Sequence, residues 1–305
     1  MRDTFVATLM ELARSDPRIV VITGDLGFGV LDKFAAAFPD QFVNAGVAEQ
    51  SMTGIAAGMA LEGRKVFTYS IGNFPTVRAL EQIRNDAAYH DADVTVVAIG
   101  GGFSYGALGM SHHATEDLAI LRAVPQVRVL SPGCLWEVQE VTKAILSTRG
   151  TCYLRLDKSN AGNTQRHGEN FELGRERKLT SGKDAALYAT GGILAVGLEV
   201  ARRLERDGIG VSVYSVHCLN DLSDREALNG YRAIFTLEEH VVRGGLGGLV
   251  AEICLEHGAR PEVFHRFGLR GGFSSMVGSQ DYLRKRHGLD ADAVSSEIRR
   301  LLAAR

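Results

Sequence analysis

The chain has 305 residues but only four cysteines, Cys134, Cys152, Cys218 and Cys254. No two of them form a C-x-x-C pair, and their spacing does not suit a finger-type zinc site. We therefore expect reduced, mostly buried thiols, as is usual for a cytoplasmic protein.

The sequence also lacks an excess of charge of one sign and any long apolar run. Because the formal net charge is −2, no basic stripe favours nucleic acid. No apolar run approaches the ~20 residues of a membrane helix. The first residues lead into an amphipathic helix without the apolar core of a signal peptide. We therefore expect a cytoplasmic protein that binds neither nucleic acid nor a membrane.

Short β-branched runs alternate with segments of helical periodicity along the chain, which is typical of parallel sheets covered by helices. Strands are predicted at residues 19–23, 42–44, 65–69, 94–99, 127–130, 152–156, 185–190, 210–216, 233–237 and 263–267. Helices are predicted at 115–123, capped by Thr115, and at 135–148. The segment 157–184 is polar and rich in turn residues, which indicates a linker. We predict two doubly wound α/β domains, 1–160 and 184–305, joined by a linker over 161–183.

The pentapeptide Gly46-Val47-Ala48-Glu49-Gln50 follows a predicted strand and opens a helix rich in small residues. One explanation is structural: Asn44 caps the helix, and Glu49 meets the positive end of its dipole. The other is chemical, because a carboxylic acid held at a strand end can hydrogen-bond a ring nitrogen of a ligand. Ligands of open α/β sheets bind outside the carboxyl ends of the strands, where this glutamate is expected.

This pattern of strand, pentapeptide and small-residue helix resembles the pyrimidine-binding domain of the transketolase family. Three further stretches support the resemblance: Thr23-Gly24-Asp25-Leu26, Ser111-His112-His113 and Tyr153-Leu154-Arg155. It covers nearly the whole chain and implies a transketolase pyrimidine-binding domain followed by a transketolase C-terminal domain. The run from Leu237 to His240 and the glycines from Gly244 to Gly247 fit a structural part of the second domain.

The resemblance implies that the chain binds thiamine diphosphate. Glu49 would hydrogen-bond the aminopyrimidine ring and so help to remove the proton from C2 of the thiazolium. Asp25 and Leu26 would lie near the thiazolium and diphosphate, and Phe74 or Tyr69 would stack on the aminopyrimidine. Outside the resemblance, the aspartate fits a turn and the aromatic side chains fit a core.

The resemblance also implies residues that face the substrate. His112 would assist proton transfer at the donor sugar, with His113 beside it, because histidine titrates near neutrality. Arg155 and Arg2 would hold a substrate phosphate, although a lone arginine also fits a surface ion pair. The preceding run from Gly100 to Gly106 does not fit a dinucleotide motif, since Tyr105 replaces the third glycine. It resembles the family's substrate-facing loop.

Three positions depart from the family pattern. Leu108 replaces an aspartate that contacts a sugar hydroxyl, Gly100 a phosphate-contacting histidine, and Gly29 a phosphate-contacting serine. A site that has lost such partners discriminates against its former ligand. We therefore expect an unusual sugar substrate, either modified or nucleotide-linked.

The Gly-Asp-Gly motif that holds Mg²⁺ and diphosphate in thiamine enzymes is absent. We therefore expect the Mg²⁺ ligands on a partner chain, in an α2β2 heterotetramer. The chain would be the β-type subunit of a two-component transketolase, transferring a ketol unit. Two alternatives stay open: the β-subunit of a 2-oxoacid dehydrogenase, and a non-catalytic assembly subunit of the same fold.

Overall fold

The computed structural model of this protein describes residues 1–304, apart from the side chain of Glu226. The first of its two sheets contains six strands. The strands are β1 (Ile19–Thr23), β2 (Phe42–Asn44), β3 (Lys65–Ile71), β4 (Val94–Ile99), β5 (Arg128–Leu130) and β6 (Cys152–Leu156). All are parallel, in the order β2-β1-β3-β4-β6-β5.

Helices cover both faces of this sheet, as expected for a parallel sheet. They are α1 (Arg2–Ala13), α2 (Asp32–Ala37), α3 (Glu49–Leu61), α4 (Leu80–Gln82, continued by a π-helical segment Ile83–Ala88), α5 (Asp117–Arg122) and α6 (Leu135–Ser147). Side chains of a strand alternate between its faces. Val20 and Ile22 accordingly pack in the core with α3, whereas Ile19 and Val21 pack in the core with α1 and α6.

The second sheet has five strands and is parallel except at one edge. Its strands are β7 (Arg177–Lys178), β8 (Ala185–Ala189), β9 (Val211–Ser215), β10 (Ala233–Val241) and β11 (Val263–Leu269). Their order is β11-β10-β8-β9-β7, with β7 antiparallel to β9. Its helices are α7 (Leu194–Arg206), α8 (Leu246–Glu256), α9 (Gln280–Arg286) and α10 (Ala291–Ala303).

The structure confirms the predicted two-sheet α/β architecture and every predicted strand, with ends that differ by a few residues. Strand β7 was not predicted, because two basic residues carry no apolar signal, and it lies inside the predicted linker 161–183. The domain boundaries at 160 and 184 stay a prediction.

Two predicted helix caps are wrong. Helix α5 begins at Asp117, because Thr115 is held elsewhere: its carbonyl accepts the N–H of Val241 at 2.9 Å, and its hydroxyl donates to Glu116. Asn44 does not cap α3. Its Oδ1 instead accepts the backbone N–H groups of Asp25 and Gly46, each at 3.0 Å.

The segment between the domains is packed onto α6 through Arg177. Its guanidinium pairs with Glu137 at 2.6 Å and Glu169 at 2.9 Å, and lies 4.4 Å from the centre of the Trp136 ring. Glu137 is fully buried in the first turn of α6. Because a buried carboxylate is costly unless it is paired, Arg177 fixes this part of the linker against the first domain.

All four cysteines are free and buried, as predicted. No helix among residues 1–304 is long and apolar enough to cross a membrane.

Candidate active site

The predicted site residues of the first domain follow the carboxyl ends of neighbouring strands. Asp25 comes after β1, Glu49 after β2, Phe74 after β3 and His112 after β4. Since these four strands are adjacent and parallel, their exits lie along one edge of the sheet. The strand order of the sheet therefore brings these side chains into one region.

Glu49 is the first residue of α3 and is only 3% exposed. Its Oε2 accepts a hydrogen bond from Nη1 of Arg78 at 2.7 Å, and the Arg78 side chain itself is half-exposed. Within residues 1–304, Oε1 accepts no hydrogen bond. A buried carboxylate at a helix start, with one oxygen uncommitted, can hold a ligand that offers a donor.

Asp25 and Leu26 form a turn that is tied to the end of β2. The backbone N–H of Asp25 donates to Oδ1 of Asn44, and Nδ2 of Asn44 donates to Oδ1 of Asp25 at 3.1 Å. Asp25 has a φ of 57°, in the left-handed region that aspartate and asparagine tolerate best. The carbonyl of Leu26 accepts the hydroxyl of Thr23 at 2.8 Å. This turn fixes the exit of β1 beside the pentapeptide.

Phe74 connects the predicted catalytic residues. Its ring centre lies 4.7 Å from the guanidinium carbon of Arg78, which pairs with Glu49. The Phe74 ring also makes a T-shaped contact with the His112 ring, with ring centres 5.2 Å apart. Tyr69, the other aromatic candidate, is a core residue at 3% exposure. The structure therefore brings Glu49, Phe74 and His112 together.

His112 is half-buried, and its Nδ1 is 3.0 Å from the hydroxyl of Ser111. Partial burial and the neighbouring His113 lower the pKa of His112 below its ordinary value. His113 is buried, with Nε2 3.2 Å from the carbonyl of Gly106 and its ring edge against Phe103. Of the two histidines, His112 is the more exposed, whereas His113 lines a pocket together with Phe103 and Met110.

Arg155 is only 2% exposed and faces other protein groups. It pairs with Asp117 at 3.4 Å and Asp157 at 3.1 Å, and donates to the carbonyl of Glu239 at 3.0 Å. Burial alone lowers the pKa of Arg155, but the two aspartates more than offset this and raise it. This burial counts against the predicted phosphate contact, which stays a prediction from the sequence.

Arg2 is exposed and pairs with its neighbour Asp3 at 2.9 Å. Lys158 is exposed too, and its Nζ is 3.8 Å from the centre of the Tyr105 ring. Partial burial and the charge of Arg2 lower the pKa of Lys158. Two neighbouring cations, Arg2 at the start of α1 and Lys158 just beyond the end of β6, form a candidate site for an anionic group.

Sequence reasoning missed Arg78 and Lys158. A signal existed for Lys158, which follows Arg155 beyond the end of the same strand. None existed for Arg78, because its contact with Glu49 spans 29 residues.

The three departures from the family pattern occupy different environments. Leu108 is 57% exposed in a short 3-10 turn. Gly100 has a φ of +90°, and any side chain there would collide with the ring of Tyr105. Gly29 has a φ of +74° and open space around it. A histidine could therefore not replace Gly100 without displacing Tyr105.

No group of three or more His, Cys, Asp or Glu side chains that could hold a metal occurs among the described residues 1–304. Several large apolar side chains near the edge are exposed to solvent. They are Phe28, Val47, Val77, Leu108 and Met110.

Two family models match the chain. Residues 1–164 match the transketolase pyrimidine-binding domain, and residues 174–294 match the transketolase C-terminal domain.

Curated relatives cover nearly the same length. A subunit of the apulose-4-phosphate transketolase of Actinobacillus succinogenes is 31% identical over 90% of this chain and 89% of its own. The 6-deoxy-6-sulfo-D-fructose transketolase subunit SqwH of Clostridium sp. (strain MSTE9) is 33% identical over 96% of this chain and 92% of its own.

A solved split-gene transketolase, described as an inactive β4 tetramer, superposes with a TM-score of 0.85. It is 32% identical and covers 99% of this chain and 97% of its own. These relatives favour the transketolase prediction over a 2-oxoacid dehydrogenase subunit. The chain therefore belongs to the transketolase family and is of the kind found as the β-type subunit, the C-terminal section, of split transketolases.

Proposed function

We propose that this chain is the β-type subunit of a two-component, thiamine diphosphate-dependent transketolase, a transferase that moves a two-carbon ketol unit between sugars. The observation that carries the proposal is the meeting of Glu49, Phe74 and His112 at one sheet edge.

The residues at this edge fit the cofactor of the family. Glu49 would hold the aminopyrimidine ring through its uncommitted Oε1, and Phe74 would stack on that ring. Asp25 and Leu26 would lie toward the thiazolium and diphosphate. When bound, thiamine diphosphate supplies the nucleophilic carbon of the reaction.

His112 would handle the proton of the sugar. Its lowered pKa keeps the imidazole neutral at neutral pH, so it can accept a proton from a donor hydroxyl. His113 holds the chain beside it through Gly106. Arg78 would keep the carboxylate of Glu49 in place.

A separate subunit would complete the site by supplying the diphosphate and Mg²⁺ ligands, in an α2β2 assembly. The exposed apolar side chains around the edge support this, because such patches commonly mark protein interfaces. Phe28 and Val47, at 76% and 74% exposure, flank the turns that carry Asp25 and Glu49.

The substrate would be a sugar with an anionic group and an unusual carbon skeleton or substituent. Arg2 and Lys158 are the exposed cations at the edge, within residues 1–304, that best suit the anionic group. The two relatives described above are named for apulose 4-phosphate and 6-deoxy-6-sulfo-D-fructose, which supports an unusual sugar.

The test is reconstitution. The chain should be co-expressed with a neighbouring gene product that carries a Gly-Asp-Gly diphosphate domain, and the pair assayed with phosphoketoses, sulfoketoses, aldoses and nucleotide sugars. We expect ketol transfer that needs both chains, thiamine diphosphate and Mg²⁺. Decarboxylation of 2-oxoacids instead would contradict the proposal.

The same assay tests substrate choice. Fructose 6-phosphate and xylulose 5-phosphate should be poor substrates, because each lost polar partner costs ~1–3 kcal/mol. Leu108→Asp, at an exposed position, should raise kcat/KM for these sugars by roughly tenfold. Efficient turnover of the ordinary phosphoketoses by the unaltered pair would show that the departures do not set specificity.

A further inference from the structure

A carboxylate of the second domain reaches the Gly-rich segment of the first. Glu239 lies in β10 and is 3% exposed. Its Oε1 accepts the backbone N–H of Phe103 at 2.5 Å and the side-chain amide of Gln280 at 2.8 Å. Its Oε2 accepts a hydrogen bond from Nε of the buried Arg284. The contact with Phe103 therefore joins the two domains beside the predicted substrate loop.

The Phe103 anchor is connected to His112 by short, ordered contacts. Gly102 and Ala114 exchange two backbone hydrogen bonds, at 2.7 and 3.1 Å, so fixing one fixes the other. His113 packs its ring edge against Phe103, and its carbonyl accepts the amide of Asn73 at 2.9 Å. His112 immediately precedes His113 and Ala114, the two residues that these contacts hold in place.

The loop is shaped to receive the carboxylate. Gly102 has a φ of +59°, and a side chain there would collide with Glu239. Two further backbone bonds hold the same segment from the second domain: Gly278 donates to Gly106 at 3.2 Å, and Val241 donates to Thr115 at 2.9 Å. Of these three contacts, only that of Glu239 uses a side chain.

The negative charge of Glu239 is balanced locally. Arg284 is 5% exposed and also donates to Ser159 at 2.8 Å, while Arg155 donates to the Glu239 carbonyl. A buried carboxylate with such partners is held in one orientation, since any other would leave a charge unpaired. Its acceptor oxygen is thus presented rigidly to Phe103.

We propose that Glu239 is a positioning residue of the active site: by anchoring Phe103, it holds His112 where it can exchange a proton with the sugar. The proposal rests on the transketolase function proposed above. It gives the C-terminal domain a part in catalysis through a residue that touches neither cofactor nor sugar.

The test compares Glu239→Gln with a matched control, Glu238→Gln. Glu238 is the preceding residue and is fully buried, but its carboxylate accepts the N–H groups of Leu246 and Gly247 at the start of α8 and does not reach the loop. In Glu239→Gln the side-chain amide cannot accept from both Phe103 and Arg284. The loop should therefore loosen in this variant only.

In the reconstituted enzyme, Glu239→Gln should lower kcat by about tenfold or more, because a small misplacement of a reacting group is costly. The KM for the ketose and the rate of C2 proton exchange of the cofactor should stay within about threefold, since Glu49 is untouched. Glu238→Gln should retain wild-type kcat where it is folded.

Hydrogen–deuterium exchange on the free chain tests the anchor without any assay of activity. Peptides covering residues 100–114 should exchange faster in Glu239→Gln and not in Glu238→Gln. If Glu239→Gln does not fold, Gln280→Ala, at a half-buried position, removes one donor to the same carboxylate together with a 3.4 Å contact to Ser104 of the loop, and should give the same pattern more weakly.

Wild-type exchange in residues 100–114 of Glu239→Gln, or a kcat within about twofold of wild type, would overturn the proposal. A wild-type pair that transfers no ketol unit to any sugar would instead reject the proposed function. The exchange measurement would then still decide whether Glu239 anchors the loop.

Discussion

Among single residues, Glu49 is the clearest case in which sequence and structure agree on placement. The pentapeptide at a strand exit predicted a carboxylate at the sheet edge, and Glu49 is there and buried. Its partner Arg78 could not be predicted, because the ion pair depends on how the segment after β3 folds back over the start of α3.

Glu49→Gln should leave the fold intact and slow C2 proton exchange of the cofactor by at least about a hundredfold, because the amide keeps the shape but cannot take part in proton transfer. Exchange is followed by NMR in the reconstituted complex. The control is Glu62→Gln, an exposed glutamate at the end of the same helix. An unchanged exchange rate in Glu49→Gln would exclude Glu49 from cofactor activation.

The basic residues at the end of β6 show where single-residue prediction fails. Arg155 and Lys158 are both near the strand exit, but Arg155 lies within the strand and Lys158 beyond it. Buried aspartates surround the first, and solvent surrounds the second. Which of two nearby cations reaches the solvent depends on tertiary partners that the sequence does not reveal.

Among secondary-structure elements, β10 carries the most information that the sequence did not. The run from Leu237 to His240 lies within β10, and its acidic side chains point into buried contacts and not into solvent. Burial raises the pKa of Glu238 to about 7, despite two backbone N–H donors, and lowers the pKa of His240 to about 4.

These two pKa shifts act on stability in opposite directions. Between pH 4.5 and about 7, Glu238 keeps its proton in the folded state but not in the unfolded state, so it makes stability fall as pH rises. Between about 4 and 6.5, His240 is neutral when folded and charged when unfolded, so it makes stability rise. Between about pH 4.5 and 6.5 the contributions of Glu238 and His240 to the pH dependence of stability should nearly cancel.

Glu238→Gln removes the contribution of Glu238, which makes stability fall as pH rises, and leaves His240 in place. The free energy of unfolding of this variant, relative to wild type, should therefore increase from pH 5 to pH 7. Urea unfolding at both pH values measures the difference. A variant that loses stability relative to wild type over this interval would show that Glu238 is ionised in the folded protein at pH 5.

A second prediction at this scale concerns the ion pairs that Arg177 makes in the linker. Although partial burial alone would raise it, hydrogen bonds from Arg177 and Arg166 lower the pKa of Glu169 to about 2. Arg177→Met should lower the free energy of unfolding by about 3 kcal/mol, because it leaves buried Glu137 unpaired. Urea unfolding at pH 7 is the measurement.

The matched control is Arg175→Met, two residues away, where an exposed arginine pairs with exposed Glu172. Such surface pairs contribute little, so stability should stay near that of wild type. Equal losses in both variants would mean that the buried pairing does not fix the linker.

In the molecule as a whole, the alternation of strands and helices predicted two α/β units, and the positions of strand ends predicted which residues would meet. The contacts between the two units could not be predicted. They join residues that are distant in the sequence, such as Arg155 and Glu239, or Phe103 and Glu239 at a separation of 136 residues, and no local pattern marks them.

The isolated chain should bind thiamine diphosphate poorly and show no turnover, because it lacks the Gly-Asp-Gly motif and its site edge is exposed. Calorimetric titration with cofactor and Mg²⁺ measures this on the chain alone. Addition of the partner subunit should restore binding. Tight stoichiometric binding without a partner would contradict the two-component proposal.

The interdomain contacts of Glu239 also limit how such genes can be rearranged. The junction depends on the Phe103 segment of the first domain and on Glu239 with Arg284 of the second. A substitution in one domain at this junction therefore needs a compensating substitution in the other. The two domains of this chain should therefore be inherited together. Chimaeras that exchange the C-terminal domain between relatives would lose activity unless residues 100–114 are exchanged with it.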